Sequence, residues 1–228
     1  MPLNKVVKYV SEADRKASEN ERPFPGYRLT PTIHHSTYPA VNPRNFDLSG
    51  KVVFISGASR GIGKETALSF SRAGASGIVI TSRSVADLDA VEDLILEAAA
   101  EVGHETKVLK IKLDLLDLNT AQSAADEVKK IFGRLDVLVN NAGCIDAAQT
   151  MSEIDPSEWL ATMTTNVQGT FAVTRALLPL LLSSENGAKI VINMASAQAL
   201  TTGLYCSAYG VGLFQIMHTT GNLLTNNV

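Results

Sequence analysis

The chain has 228 residues, 45% of them hydrophobic and 19% charged, with a formal net charge of −3. That is enough apolar material for one α/β domain with a sizeable core, and the mild acidity gives no reason to expect nucleic acid or an anionic membrane as partner. Two cysteines, Cys144 and Cys206, supply no disulfide framework, fit a reducing and hence cytoplasmic compartment, and read as small core residues rather than nucleophiles.

Residues 1–48 stand apart from the rest. Pro2, Pro23, Pro25, Pro31, Pro39 and Pro43 fall here, six of the chain's eight prolines, which argues for an extended tail. Residues 11–20 have the pattern of a short helix, and Tyr27, Tyr38 and Phe46 are candidate anchors onto a domain covering 49–228. The N-terminus is charged and polar, unlike a secretory signal. The most apolar run, 176–182, is far too short to span a membrane, and the histidines show no ligand spacing.

From residue 52 onward strand and helix alternate. Val52-Val53-Phe54-Ile55 reads as a strand buried on both faces. Gly57, Gly61 and Gly63 follow, and 64–73 has helical spacing with Ala67, Phe70 and Ala73 on one face and Gly74 as its stop. Strand 77–81 is followed by a helix over 85–102, with Leu88, Val91, Ile95, Ala98 and Val102 on one face. Strand 107–113 precedes a helix over 120–132, which buries Ala121, Ala124, Val128 and Phe132. Strand 135–139, a long helix over 157–182 and strand 189–194 complete the pattern. The fold class is therefore α/β, a Rossmann-like doubly wound parallel sheet with ligand chemistry at the carboxyl ends of its strands.

Those ends carry specific residues. After the first strand, the backbone around Gly57, Ser59, Arg60, Gly61, Ile62 and Gly63 forms a turn opening a helix, a place that suits a pyrophosphate. The spacing Gly-x-x-x-Gly-x-Gly differs from the commoner dinucleotide fingerprint, and the plainer reading is a glycine turn capping a helix. After the second strand no acid stands ready for a ribose 2′-hydroxyl. Arg83 is there instead, with Arg60 in the glycine loop, and two cations favour NADP(H) over NAD(H). The alternative is that both are solvated surface arginines. Asp114 and Leu115 follow the third strand and are candidates for an adenine, while Asn140, Ala142 and Gly143 after the fourth let backbone approach a cofactor or simply turn.

Taken together, residues 56–63, Asp114, 140–143 and Asn166-Val167-Gln168-Gly169 resemble, in order and spacing, the short-chain dehydrogenase/reductase family from about 48 to 209. Residues 30–43 are similar to an extension found in some members. The resemblance implies an NADP-preferring oxidoreductase acting on a small alcohol or carbonyl substrate, with homo-oligomers as a common assembly. It implies that Tyr209 exchanges a proton with the substrate oxygen, that Ser196 hydrogen-bonds that oxygen, and that Asn166 helps to hold a relay water. Residue type agrees, since hydride transfer to a carbonyl leaves an alkoxide needing a proton.

Two features depart from the family. Its lysine, four residues after the tyrosine, is replaced by Leu213. A free tyrosine has a pKa of about 10 and a neighbouring cation lowers it, so losing ~3 units of assistance removes ~4 kcal/mol, about a thousandfold in rate. The residues after Tyr209 include Gly210, Gly212, Gly221, Asn222, Asn226 and Asn227 and read as a poor helix, with the family's later strands and substrate lid missing. The alternative function is a catalytically inactive nucleotide-binding module or truncated product.

Overall fold

The computed structural model describes residues 37–145, 149–200 and 206–225. The expected helix over 11–20 and the Tyr27 anchor lie outside them. Residues 37–42 belong to a separate compact unit and carry one 3-10 turn, Pro39–Val41.

The domain that follows is a five-stranded parallel sheet in the order β3-β2-β1-β4-β5. Its strands are β1 (Val52–Ile55), β2 (Gly77–Ser82), β3 (Lys107–Lys112), β4 (Val137–Asn140) and β5 (Ile190–Asn193). The helices are α1 (Gly61–Arg72), α2 (Asp89–Ala100), α3 (Asn119–Phe132), α4 (Pro156–Met163), α5 (Thr170–Ser183) and α6 (Ser207–Thr225). Register is continuous across the middle strands, with Ile55 paired to Ile80 and Val139. Parallel pairing requires a crossover each time, and the helices supply it on both faces.

Alternation along β1 divides the core in two. Val52 and Phe54 face α3 and α5, packing with Val128, Leu177 and Leu181. Val53 and Ile55 face α1 and α2, packing with Ala67, Val91 and Ile95. The expected apolar faces are thus the buried ones, except that Phe70, Val102 and Phe132 are only half-buried. Phe132 lies over Gly77, where a β-carbon would come within 2.6 Å of its ring.

Several expectations need correction. The helix over 85–102 begins as a separate 3-10 turn, Val85–Leu88, before α2. The long helix over 157–182 is interrupted by a π-helical turn, Thr164–Gly169. Phe46 is 54% exposed and joins neither core cluster among the described residues, whereas Leu48 packs against the α1–α2 core and donates its N–H to Ala73 O at 2.8 Å. Cys144 is exposed and Cys206 half-buried, so neither is a core residue. The stretch after Tyr209 is helical. Ala208, Leu213 and Ile216 are buried along one side of α6, and this packing outweighs the low propensity of its glycines. Gly212 lets the helix close on the π turn, since a β-carbon there would stand 3.2 Å from Asn166 Cβ.

Candidate functional site

The loop between β1 and α1 is held by two side chains from the sequence motifs. Ser56, buried at the end of β1, accepts hydrogen bonds on Oγ from the N–H groups of Asn141 and Ala142, both at 3.0 Å. Asn141 returns its Nδ2 to the carbonyls of Ser56 at 2.9 Å and Gly57 at 3.0 Å. Gly57 adopts φ +68°, and a β-carbon there would meet the Ala142 backbone at 2.9 Å. Gly63 sits tighter still, 2.3 Å from Gly57 O for the same virtual atom. Gly61 also has positive φ, +57°, yet faces open space. The N-terminus of α1 carries no side-chain cap, so its first N–H groups are left to an external acceptor. A recess floored by glycines, with uncapped amides beside it, fits a dinucleotide pyrophosphate.

Around it stand the other expected contacts. Arg60 and Arg83 are exposed, and neither takes part in an ion pair among the described residues. Asp114 accepts from Leu116 N–H at 3.0 Å. The Leu115 side chain is buried in the core beside Gly169, so only its backbone is left for a ligand. Ser59 is half-buried in the loop.

A cavity of about 310 Å³ opens at the ends of β4 and β5. Ile62, residues 140–145, Asn166, Thr170, Ala195, Tyr209 and Leu213 line it. Asn166 is buried in the π turn and clamps Cys144 at both backbone groups: its Nδ2 donates to Cys144 O at 2.7 Å and its Oδ1 accepts from Cys144 N–H at 2.9 Å. Gly143 passes the same side chain with only 3.1 Å for a β-carbon. Trp159 Nε1 donates to Ser207 Oγ at 3.1 Å, tying α4 to the start of α6 two residues before Tyr209. Ser196 follows the cavity residue Ala195 and caps a 3-10 turn, Ala197–Ala199, accepting from Gln198 N–H at 3.3 Å. Leu213 is buried with Tyr209, Ala199 and Ile216.

The structure therefore gathers Ile62, Asn140, Ala142, Gly143, Asn166 and Tyr209 on one cavity, with Ser196 next to its wall. It keeps Arg60, Arg83 and Asp114 at the neighbouring strand ends. Sequence reasoning left out Ser56 and Asn141, which hold the loop to β4. Their signal was position: a small hydroxyl one residue past the end of β1, and a second asparagine one residue past the end of β4.

Comparison with known proteins agrees with this geometry. The family model for short chain dehydrogenases matches residues 51–223. Short chain dehydrogenase mpl6 of Monascus purpureus is 41% identical over 199 residues, covering 87% of this chain and 67% of its own length. Short chain dehydrogenase pigC of Monascus ruber is 43% identical, covering 80% and 59% respectively. The chain thus spans about two thirds or less of these curated relatives. A short chain dehydrogenase structure from Escherichia coli CFT073, complexed with NADPH, superposes with a TM-score of 0.69 at 31% identity, covering 81% of this chain and 73% of that one. With a match over most of its length to the family model, and with the glycine loop and cavity in the places just described, the chain belongs to the short-chain dehydrogenase family.

Proposed function

We propose that this protein transfers hydride between NADP(H) and a small alcohol or carbonyl compound. The observation that carries the reading is the joining of two features: a glycine loop fastened to β4 through Ser56 and Asn141, and a cavity beside it that contains Tyr209 and Asn166. NADP rather than NAD is favoured by Arg60 and Arg83, exposed and with no carboxylate partner among the described residues, where a 2′-phosphate would need cations. The 32%-identical NADP-dependent 3-hydroxy acid dehydrogenase of Schizosaccharomyces pombe supports the same choice.

When bound, the coenzyme supplies or accepts the hydride. The chain's own residues do the rest. Gly57, Gly61 and Gly63 admit the diphosphate to the α1 N-terminus, and backbone at Ala142 and Gly143 bounds the redox end. Tyr209 moves the proton at the substrate oxygen, Ser196 turns its Oγ from Gln198 N–H to that oxygen, and Asn166 fixes the wall at Cys144. Leu213 offers the phenol no cation, so turnover is slow. Exposed Leu160 and Phe171 on α4 and α5 suit pairing of copies in a cytoplasmic homo-oligomer.

Fluorescence titration with NADPH and NADH, followed by NADPH oxidation with a carbonyl panel, tests the reading. Tighter NADPH binding and turnover abolished in Tyr209→Phe are expected. Coenzyme binding without turnover in any assay would favour the alternative of a silent binding module, the reading to which Leu213 points.

A further inference from the structure

Tyr209 is placed by the helix that carries it. Its side chain packs with Ala199, Leu213 and Ile216, and its phenol makes no hydrogen bond to a described residue. The first turns of α6 thus set where the phenol lies in the cavity. Two contacts bracket them, one from α4 and one from the π turn that continues it. Trp159 Nε1 on α4 donates to Ser207 Oγ at 3.1 Å. Gly212 closes on the π turn, where a β-carbon would stand 3.2 Å from Asn166 Cβ and 3.6 Å from Val167 Cγ2. Tyr209 falls between these two points. Trp159 is itself held in place. Its N–H donates to Asp155 O at 3.0 Å, and Asp155 caps α4 by accepting from Ser157 N–H at 2.7 Å. Three residues further along the same face of α4, Thr162 is buried and its Oγ1 meets the thiol of Cys144, another cavity residue, at 3.9 Å.

The two contacts constrain α6 differently. Close packing at Gly212 sets how near the helix stands to the π turn, but packing has little directional preference. A hydrogen bond weakens steeply when donor and acceptor lose alignment, so the indole also sets the rotation of α6 about its own axis. Rotation matters at the phenol: turning a helix by about 10° carries a side-chain tip, about 5–6 Å from the axis, through about 1 Å. A misplacement of about that size can cost about a hundredfold in rate. We propose that Trp159 is a positioning residue, which through Ser207 fixes the rotation of α6 and hence the place of the Tyr209 phenol in the cavity. The inference deepens the redox reading and rests on it in one respect, that Tyr209 is the group that carries the proton.

Trp159 is the one tryptophan of the chain, so its indole N–H gives a single side-chain signal in proton–nitrogen NMR. Tyrosine labelled with carbon-13 at Cζ reports on the phenol, and Tyr209→Phe identifies which signal belongs to it. Ser207→Ala should shift the indole signal and shift or broaden that of Tyr209. Ser207→Thr, which keeps the hydroxyl, should leave both where wild type has them. Trp159→Phe should move the Tyr209 signal as Ser207→Ala does. In turnover, each loss should lower kcat by between about tenfold and about a hundredfold while KM for NADPH stays within about twofold, and the double variant should lose no more than either alone. If Trp159→Phe does not fold, Ser207→Ala decides. A Tyr209 signal unmoved in Ser207→Ala, even with a fall in stability, would overturn the proposal, as would additive losses in the double variant or a raised KM at constant kcat. Absence of turnover in wild type would overturn the proposed function, and the Tyr209 signal would still decide whether Trp159 places the phenol.

Discussion

Gly61 and Gly63 stand two residues apart at the start of α1 and meet different demands. A β-carbon at Gly63 would lie 2.3 Å from Gly57 O and 2.5 Å from Asn141 Nδ2, so it can fit only by breaking the clasp between loop and β4. At Gly61 the space is open and only the positive φ of +57° resists, a cost of about 1 kcal/mol for an L side chain. Gly63→Ala should therefore weaken NADPH binding by about tenfold or more, and Gly61→Ala by a smaller factor; fluorescence titration of both reads the contrast. Equal losses would mean that the clasp does not shape the site. Leu213 sets the second residue-scale expectation. It is buried against Tyr209 while also lining the cavity, so a lysine there can lay its stem on Ala199 and Ile216 and bring its ammonium to the cavity. Leu213→Lys should raise NADPH turnover, by up to about a thousandfold, and move the pH–rate profile toward lower pH. A variant that folds and binds coenzyme but turns over no faster would show that Tyr209 is not limited by the lost cation.

Among the elements, α4, the π turn and α5 show what periodicity reveals and what it hides. The apolar spacing over 157–182 marks one helix, and a helix runs there, yet the π turn at Thr164–Gly169 leaves no trace in that spacing. It arises from contacts distant in sequence: Asn166 reaching across to Cys144, and Gly169 packing on Leu115. The same cause explains α6. Composition after Tyr209 argues against a helix, and only packing of Ala208, Leu213 and Ile216 makes one. By contrast, the strands and the glycine loop were legible because four apolar residues in a row and three spaced glycines are local signals. The candidate site was legible in residue type but not in bonding, so Ser56 and Asn141 were passed over. Asn166→Leu tests the clamp. It removes two hydrogen bonds and leaves both Cys144 backbone groups without partners, a loss of about 2–4 kcal/mol in urea unfolding. A change below about 1 kcal/mol would mean that these backbone groups find other partners, and that the π turn does not depend on Asn166.

At the scale of the whole molecule, the opposite end of the sheet from the cavity is fastened by one carboxylate. Asp136 has a fully buried side chain; its Oδ2 accepts from Val52 N–H at 2.8 Å and from Arg134 Nε at 2.9 Å, and its Oδ1 accepts from Arg134 Nη2 at 2.7 Å. Its own carbonyl accepts from Ile190 N–H at 3.0 Å, so β1, β4 and β5 meet at this residue. Burial pushes the carboxyl's pKa up, but the Arg134 pair and the Val52 N–H together outweigh it and hold it below the ordinary carboxylate value. A lowered folded-state pKa means that the ionised form is bound more firmly in the fold than in the open chain. The stabilisation is then complete above about pH 4 and is lost as pH falls further, through the folded-state value. Asp136→Asn keeps an acceptor for Val52 but gives up the charge, so it should be less stable than wild type near neutrality. Between about pH 5 and about pH 2 its stability should fall less steeply, and the two curves should converge at the acid end. Asp136→Ala, which leaves Val52 N–H and the guanidinium unmatched, should cost about 3 kcal/mol at neutral pH. Urea unfolding across that range decides the matter. Parallel curves for wild type and Asp136→Asn would mean that the joint of the three strands rests on shape and backbone pairing, with the carboxylate contributing no charge-dependent stability.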